Sequence, residues 1–132
     1  SGRLIKHQDG RKMRIPGMLS MVQGMGVTLE AHSMSQVSMN LRDVNQCPMH
    51  VAFETCKSIA SDHGIEVIGS ELVGLVPLQA MMVAGQWYAS EGESDESRLV
   101  AAAIDGLGLR QIDDFIPEQR IIEWAVKKAV SQ

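Results

Sequence analysis

The chain has 132 residues, which is room for one compact domain, and its 45% of hydrophobic residues excludes a disordered or collagen-like chain. Aromatic residues make up only 4%, too few for a platform on which nucleic-acid bases stack. Residues 1–17 carry a net charge of +4 and the rest of the chain carries −8, so the body of the chain would repel nucleic acid and anionic membranes.

The chain begins with two predicted antiparallel units. Residues 3–15 form a hairpin around Asp9-Gly10, and residues 1–17 together are a basic hairpin arm. From Met25 apolar and polar residues alternate, and they alternate again from Gln36 to Arg42, which predicts a pair of antiparallel strands. The pattern assigns one apolar and one polar face to this pair. The apolar residues are Met25, Val27, Leu29, Ala31, Val37, Met39 and Leu41.

Helices are predicted in the second half of the chain. Apolar residues at helical spacing follow Pro48 and end at Gly64. A short strand over 65–69 follows, and Pro77 opens a second helix that reaches Tyr88. Ser94 caps a third helix with a stripe at Leu99, Val100, Ala103, Ile104 and Leu107. A last helix begins near Pro117 and buries Ile121, Ile122, Ala125 and Ala129.

The candidate binding residues are small polar groups. Thr28, Ser38 and Asn40 share the predicted polar face, and Ser70 and Glu71 follow a buried strand, where open α/β sheets bind ligands. Contact with a ligand and a solvent-facing or turn-forming role are both open for these residues. None of them is a nucleophile paired with a base.

The histidines and cysteines give no metal site, because no Cys-x-x-Cys or His-x-x-x-His spacing occurs. His50 falls in the first turn of a helix, where the helix dipole favours the neutral imidazole. We expect an exposed histidine there, with a role as proton carrier as the less favoured alternative. Cys47 and Cys56 form no disulfide framework, which favours a cytoplasmic setting.

Three strings resemble segments of glutamate formiminotransferases. Residues 35–43, SQVSMNLRD, resemble the family's AQVSMNLTD, and residues 47–54, CPMHVAFE, resemble its TPxHxxFE helix start. Residues 68–78, IGSELVGLVPL, are similar to its VGSELVGLVPL almost letter for letter. Further similarity extends in the same order from about residue 2 to residue 124.

The resemblance implies an α+β fold: a ferredoxin-like βαββαβ half-domain that lacks its first strand and helix. Its antiparallel sheet would have helices on one face and extra C-terminal helices. The family transfers a formimino group from N-formiminoglutamate to tetrahydrofolate in histidine degradation, so tetrahydrofolate is the expected co-substrate. The implied folate-binding residues are Thr28, Ser38, Asn40, Gly69, Ser70 and Glu71. The family's catalytic histidine belongs to the N-terminal half, so no catalytic residue is assigned.

Two functions are therefore open for residues 1–132, a single domain. The first is the folate-binding C-terminal half of a formiminotransferase, inactive alone and in need of the N-terminal half. The second is a non-catalytic module derived from that family, which acts through self-association or small-molecule binding. A half-domain with an unfilled place in its sheet predicts a homodimer or a higher even oligomer, because unpaired strand edges associate.

Overall fold

The computed structural model describes residues 19–29 and 34–131, with side chains at all of these positions except 27–29. The predicted hairpin of the basic arm lies outside the described residues. Within them the fold is mixed α and β: two antiparallel strands are followed by helices. In chain order the elements are β1 (Val22–Leu29), β2 (Met34–Leu41), α1 (Met49–Asp62), α2 (Leu78–Tyr88), α3 (Glu96–Gly106), α4 (Pro117–Arg120) and α5 (Ile122–Val130).

The helix boundaries follow the local chemistry. Pro48 and Pro77 occupy the N-cap positions of α1 and α2. Gly64 adopts a φ of 69° just after α1, a left-handed conformation in which glycine avoids the Cβ clash. The prediction of Ser94 as the cap of α3 is wrong. Asp95 is the N-cap, and its carboxylate accepts a hydrogen bond from the Arg98 N–H.

The core lies between α2, α3 and the C-terminal segment. Its buried residues are Val76, Ala80, Met81, Ala84, Val100, Ala103, Ile104, Leu107, Leu109, Phe115 and Ile121. The predicted stripe of α3 is confirmed, because all five of its residues are buried. Met49 and Phe53 of α1 pack against this core while they stay half-buried.

The predicted last helix is interrupted at Ile121. This residue is fully buried, with extended backbone at φ −87° and ψ 121°, and it forms a parallel bridge with Val76. The prediction that Ile122 and Ala129 are buried is wrong, because both are exposed. The bridge ties the start of α2 to the start of α5 through the Val76 N–H and carbonyl group.

The strand pair corrects the predicted division into one apolar and one polar face. Its register pairs Met25 with Ser38 and Gly26 with Val37. Every pair joins an odd-numbered to an even-numbered residue. The residues predicted to form the apolar face are odd-numbered in both strands. Directly paired residues point to the same side of a sheet. Each face is therefore mixed, and Met25 and Val37 are 65% and 59% exposed on opposite faces.

The predicted helix cover of the sheet is not seen among the described residues. No strand residue with a described side chain belongs to the buried core, and the Met39 and Cys56 sulfurs, 3.8 Å apart, connect the hairpin to α1. The predicted strand over 65–69 is a segment without regular secondary structure, called here the 65–69 segment. A strand needs a neighbour for its backbone groups, and no described strand runs beside it.

Arg120 binds the segment of residues 72–74, which precedes α2. Its guanidinium donates hydrogen bonds to the carbonyl oxygens of Leu72 and Gly74, the latter at 2.8 Å, and it lies 5.4 Å from the centre of the Phe115 ring. Two charge-assisted bonds on neighbouring carbonyls fix the path of residues 72–74. One side chain thus connects this segment to α4.

The closest helix contact lies at Gly85. A Cβ atom at this position would overlap the carbonyl oxygen of Leu99 on α3, so only glycine permits the observed approach of α2 and α3. On an exposed helix surface the same change would stabilise by about 1 kcal/mol through helix propensity. At Gly85 the steric conflict reverses the sign.

We expect Gly85→Ala to lower the free energy of unfolding by about 1–3 kcal/mol, the usual cost of overpacking a tight interface. Urea denaturation followed by circular dichroism measures it. Gly26→Ala is the matched control, because a Cβ there meets nothing within 4 Å, and its stability should be unchanged or slightly higher. Equal stability of the two variants would contradict the packing argument.

Arg120→Ala should lower the free energy of unfolding by about 1–3 kcal/mol, because it removes two hydrogen bonds from a charged donor. Arg98→Ala is the control: its side chain is 76% exposed and lies 3.7 Å from Glu93, and such surface pairs contribute less than about 1 kcal/mol. Hydrogen exchange at residues 73–75 should accelerate in the Arg120 variant alone. Unchanged exchange there would show that the guanidinium does not hold the segment.

Candidate functional site

Ser70 anchors its segment to the turn that ends α3. Its N–H donates to the Gly108 carbonyl at 3.1 Å, and its hydroxyl donates to the Leu107 carbonyl at 2.5 Å. The hydroxyl proton is therefore committed to the backbone, and the oxygen can act toward a ligand only as an acceptor. Ser70 positions its neighbours rather than donating to a substrate.

Gly69 permits this attachment by lacking a side chain. A Cβ atom there would lie 2.6 Å from the Gly108 carbonyl oxygen and 2.8 Å from the Cβ of Gln111. Gly108 has a φ of 62°, which favours glycine at that turn as well. The two glycines let the backbones of the two loops touch, and this contact helps to position Glu71, two residues after Gly69.

Glu71 lines a small acidic cleft. The cleft has a volume of about 140 Å³, and its lining residues are Glu71, Leu72, Val73, Leu109, Asp113, Asp114, Phe115 and Arg120. Its size is below the roughly 300–1,000 Å³ of sites that enclose a whole drug-sized ligand. The cleft can therefore hold one functional group or one edge of a larger molecule.

The charges around the cleft favour a ligand with N–H donors. Three carboxylates line it, while the cation of Arg120 is engaged by two backbone carbonyls and the Phe115 ring. Ionised carboxylates accept hydrogen bonds and donate none. An amidinium, an amine or the amino edge of a heterocycle matches this lining, whereas a phosphate or a carboxylate would be repelled.

The other predicted residues are not gathered at this cleft. Ser38 and Asn40 are exposed on β2, on the face that also carries Met25. The register places position 28 on the opposite face, because Thr28 pairs with Ser35. The structure thus brings together Gly69, Ser70 and Glu71, and the register separates position 28 from Ser38 and Asn40. Neither Ser38 nor Asn40 is among the lining residues of the cleft.

Sequence reasoning missed Asp113 and Asp114 as companions of Glu71. They lie more than forty positions away in the chain and reach the cleft through the turn after α3. Their signal in the sequence is the paired acid that follows a Gly-x-Arg turn, which by itself indicates only a solvated loop.

A second group of polar and aromatic residues lies between α1 and α2. The expectation of an exposed His50 is wrong: the residue is only 9% exposed. Its ring stacks on Trp87 with centroids 5.4 Å apart, and it meets the edge of Tyr88 at 6.4 Å. The Tyr88 hydroxyl donates to the Glu54 carboxylate at 2.8 Å.

Burial changes the acid–base properties of this group. It lowers the pKa of His50 below its ordinary value, and the nearby Glu54 carboxylate opposes part of that shift. Burial also raises the pKa of Tyr88 strongly, and its hydrogen bond to Glu54 adds to the shift. Both side chains are neutral near pH 7.

The described residues contain no group of three or more His, Cys, Asp or Glu side chains that could hold a metal ion. Among the same residues, no helix combines the length and the apolar character that crossing a membrane requires. Both cysteines, Cys47 and Cys56, are free thiols, and burial raises the pKa of each.

Comparison with known proteins finds that the chain is similar to formimidoyltransferases. It is 37% identical over 124 residues to the formimidoyltransferase-cyclodeaminase of Dictyostelium discoideum, with 92% of this chain covered, and 37% identical over 122 residues to that of Mus musculus, with 90% covered. It is also 37% identical over 73 residues to the glutamate formimidoyltransferase of Streptococcus pyogenes serotype M1, with 55% covered.

The similarity has two different extents. The alignments cover 23% of the length of the Dictyostelium and mouse proteins and 24% of the Streptococcus protein, so the chain corresponds to about a quarter of each. The family model of the formiminotransferase domain, by contrast, matches residues 4–127 of this chain. The chain therefore belongs to the formiminotransferase domain family.

Proposed function

We propose that this chain is the folate-facing C-terminal part of a glutamate formiminotransferase. The observation that carries the proposal is the family match over residues 4–127, together with relatives that are formimidoyltransferases by name. The reaction is transfer of the formimino group of N-formiminoglutamate to tetrahydrofolate. Because the chain corresponds to about a quarter of its relatives, we propose that it does not catalyse this transfer alone.

The acidic cleft supports a role in binding one N–H-rich group of the substrates. The cationic formimino group and the amino edge of the pterin both carry N–H donors. Glu71, Asp113 and Asp114 supply acceptors in one place. Transfer also requires the attacking amine of tetrahydrofolate to lose a proton as the tetrahedral intermediate forms and collapses. In this proposal a carboxylate of the cleft accepts the hydrogen bond of that N–H group.

The fold supports the proposed ferredoxin-like half-domain through its element order. An antiparallel strand pair, a helix and the 65–69 segment follow one another, in the order of the last part of a βαββαβ unit. In this proposal the 65–69 segment becomes a strand when the N-terminal half supplies a neighbouring strand. The two free thiols agree with a reducing cytoplasmic location.

Titration of the purified chain with a reduced folate tests the proposal. We expect Glu71→Ala and Asn40→Ala each to weaken binding by about 1–3 kcal/mol, the cost of an unpaired polar group, and to leave folding almost unchanged because both residues are exposed. Isothermal calorimetry gives the affinity and urea denaturation the stability.

Matched controls are Glu66→Ala and Asn45→Ala, which remove the same groups from exposed positions outside the cleft. Their affinity should equal that of the unaltered chain. Absence of folate binding in the unaltered chain would contradict the binding role, and formimino transfer by the isolated chain would contradict its proposed inactivity. If only the Glu71 variant loses affinity, the site is the acidic cleft without the hairpin.

The second candidate function is self-association, and the 65–69 segment favours it. Backbone groups of residues 66–69 make no hydrogen bond to another described residue, while Ile65 and Ile68 are 61% and 57% exposed. An ordered, apolar segment with free N–H and C=O groups is a template for strand addition. A second copy offers the same edge, so an antiparallel pairing about a two-fold axis satisfies both chains.

We expect the isolated chain to be a dimer or a higher even oligomer at tens of micromolar, as measured by light scattering. Ile68→Lys should shift it toward the monomer, because it places a charge in the paired edge. Val126→Lys is the matched control, since Val126 is also 57% exposed but lies on α5. A monomeric unaltered chain, or equal dissociation by both variants, would contradict pairing through this segment.

A further inference from the structure

His50 is buried in an unusual state of hydrogen bonding. Its Nδ1 atom is inaccessible to solvent and has no hydrogen-bond partner among the residues that the structure describes. Buried polar atoms are satisfied in most native structures, and an exception calls for a functional or physical explanation. Burying a neutral imidazole nitrogen without a partner costs far less than burying a charge, whereas a second proton on the ring would create a buried cation without a partner at Nδ1.

The imidazole also forms a substantial part of the junction between α1 and α2. It lies in the first turn of α1, with its ring stacked at an interplanar angle of 24° on Trp87 and edge-on to Tyr88, both in the last turn of α2. The second link across this junction is the hydrogen bond from Tyr88 to Glu54. His50 and Glu54 are one helical turn apart on α1, so they share a face.

We propose that His50 is a proton-operated latch between α1 and α2, closed by the neutral imidazole and opened when the imidazole is protonated. The titratable groups that face it in the described part of the chain are Glu54 on its own helix and Tyr88 on α2. Protonation favours a rotation of the ring away from Trp87 toward the Glu54 carboxylate. The Glu54 carboxylate has two oxygens and can accept from the imidazolium as well as from Tyr88, so the proton removes the stacking contact between His50 and Trp87.

The direction of the pH dependence follows from linkage. Burial holds the pKa of His50 below its ordinary value of 6.5 in the closed state, so the open state binds the proton more tightly. The closed state is fully stable above pH 6.5 and loses stability as the pH falls from 6.5 through the lower pKa of the closed state. One proton raises the opening equilibrium by at most about tenfold per pH unit.

Trp87 provides the reporter. In a Trp124→Phe background Trp87 is the single tryptophan, and its fluorescence is recorded between pH 5 and 7.5. We expect one transition with a midpoint below pH 6.5, and we expect His50→Gln to abolish it. His63→Gln is the matched control, because His63 is exposed and bonded through Nδ1 to the Ile59 carbonyl. A transition that survives His50→Gln would overturn the proposal, as would a flat profile in the unaltered background.

Opening is distinguished from a local change at the tryptophan by the reactivity of Cys47, which is 1% exposed just before α1. In a Cys56→Ser background, dithiodipyridine should modify Cys47 several-fold faster at pH 5.5 than it does in the same chain with His50→Gln. Equal rates at that pH would overturn the opening of the helix. Comparison at one pH cancels the change in thiolate fraction.

Two further variants keep the test decisive if His50→Gln does not fold. Trp87→Leu exposes the imidazole, so the pKa of His50 measured by NMR should rise toward 6.5. Glu54→Gln keeps an acceptor for Tyr88 but removes the charge that attracts the imidazolium, so the midpoint should fall. An unchanged pKa in both variants would show that neither neighbour controls His50, and the latch would be rejected.

Discussion

The approach of α2 to α3 at two glycines is the contact on which the other described elements depend. Gly85 of α2 meets the backbone of Leu99, and Gly106 of α3 lies under the ring of Tyr88, where a Cβ would overlap the ring. From this pair the structure extends in two directions. Tyr88 reaches Glu54 and His50 on α1, while the turn that ends α3 holds Ser70 through two carbonyl oxygens.

The helices could be predicted from the sequence because their information is local. The stripe of α3 repeats at helical spacing, and all of its residues are buried. The sequence pattern predicts the N-cap of α3 one residue too early. Ser94 and Asp95 are both favourable N-cap residues, and only the backbone conformation shows that Asp95 takes this position. The break at Ile121 could not be predicted, because it depends on a bridge to Val76, forty-five positions away.

The strand pair shows how far alternation can mislead. Each strand alternates cleanly, and the pattern by itself favours a common apolar face. Which residues share a face depends on the register, and a shift by one residue reverses every side chain of one strand relative to the other. The register observed pairs Met25 with Ser38, so the predicted polar face was wrong as a unit. The sequence also predicted Glu71 as a candidate site residue but not its neighbours Asp113 and Asp114, because they reach the cleft through a turn more than forty positions away in the chain.

The acidic cleft and the α1–α2 junction both depend on the packing of α2 against α3. Glu71 is positioned by the Ser70 and Gly69 contacts with the turn after α3, and His50 is positioned by residues at the end of α2. Tyr88 packs on Gly106, two residues before Gly108, the carbonyl of which accepts from Ser70. The junction and the cleft thus contact the C-terminal end of α3 within three residues of each other. Because each contact is made at a glycine, no side chain lies between the helix end and the group that packs on it.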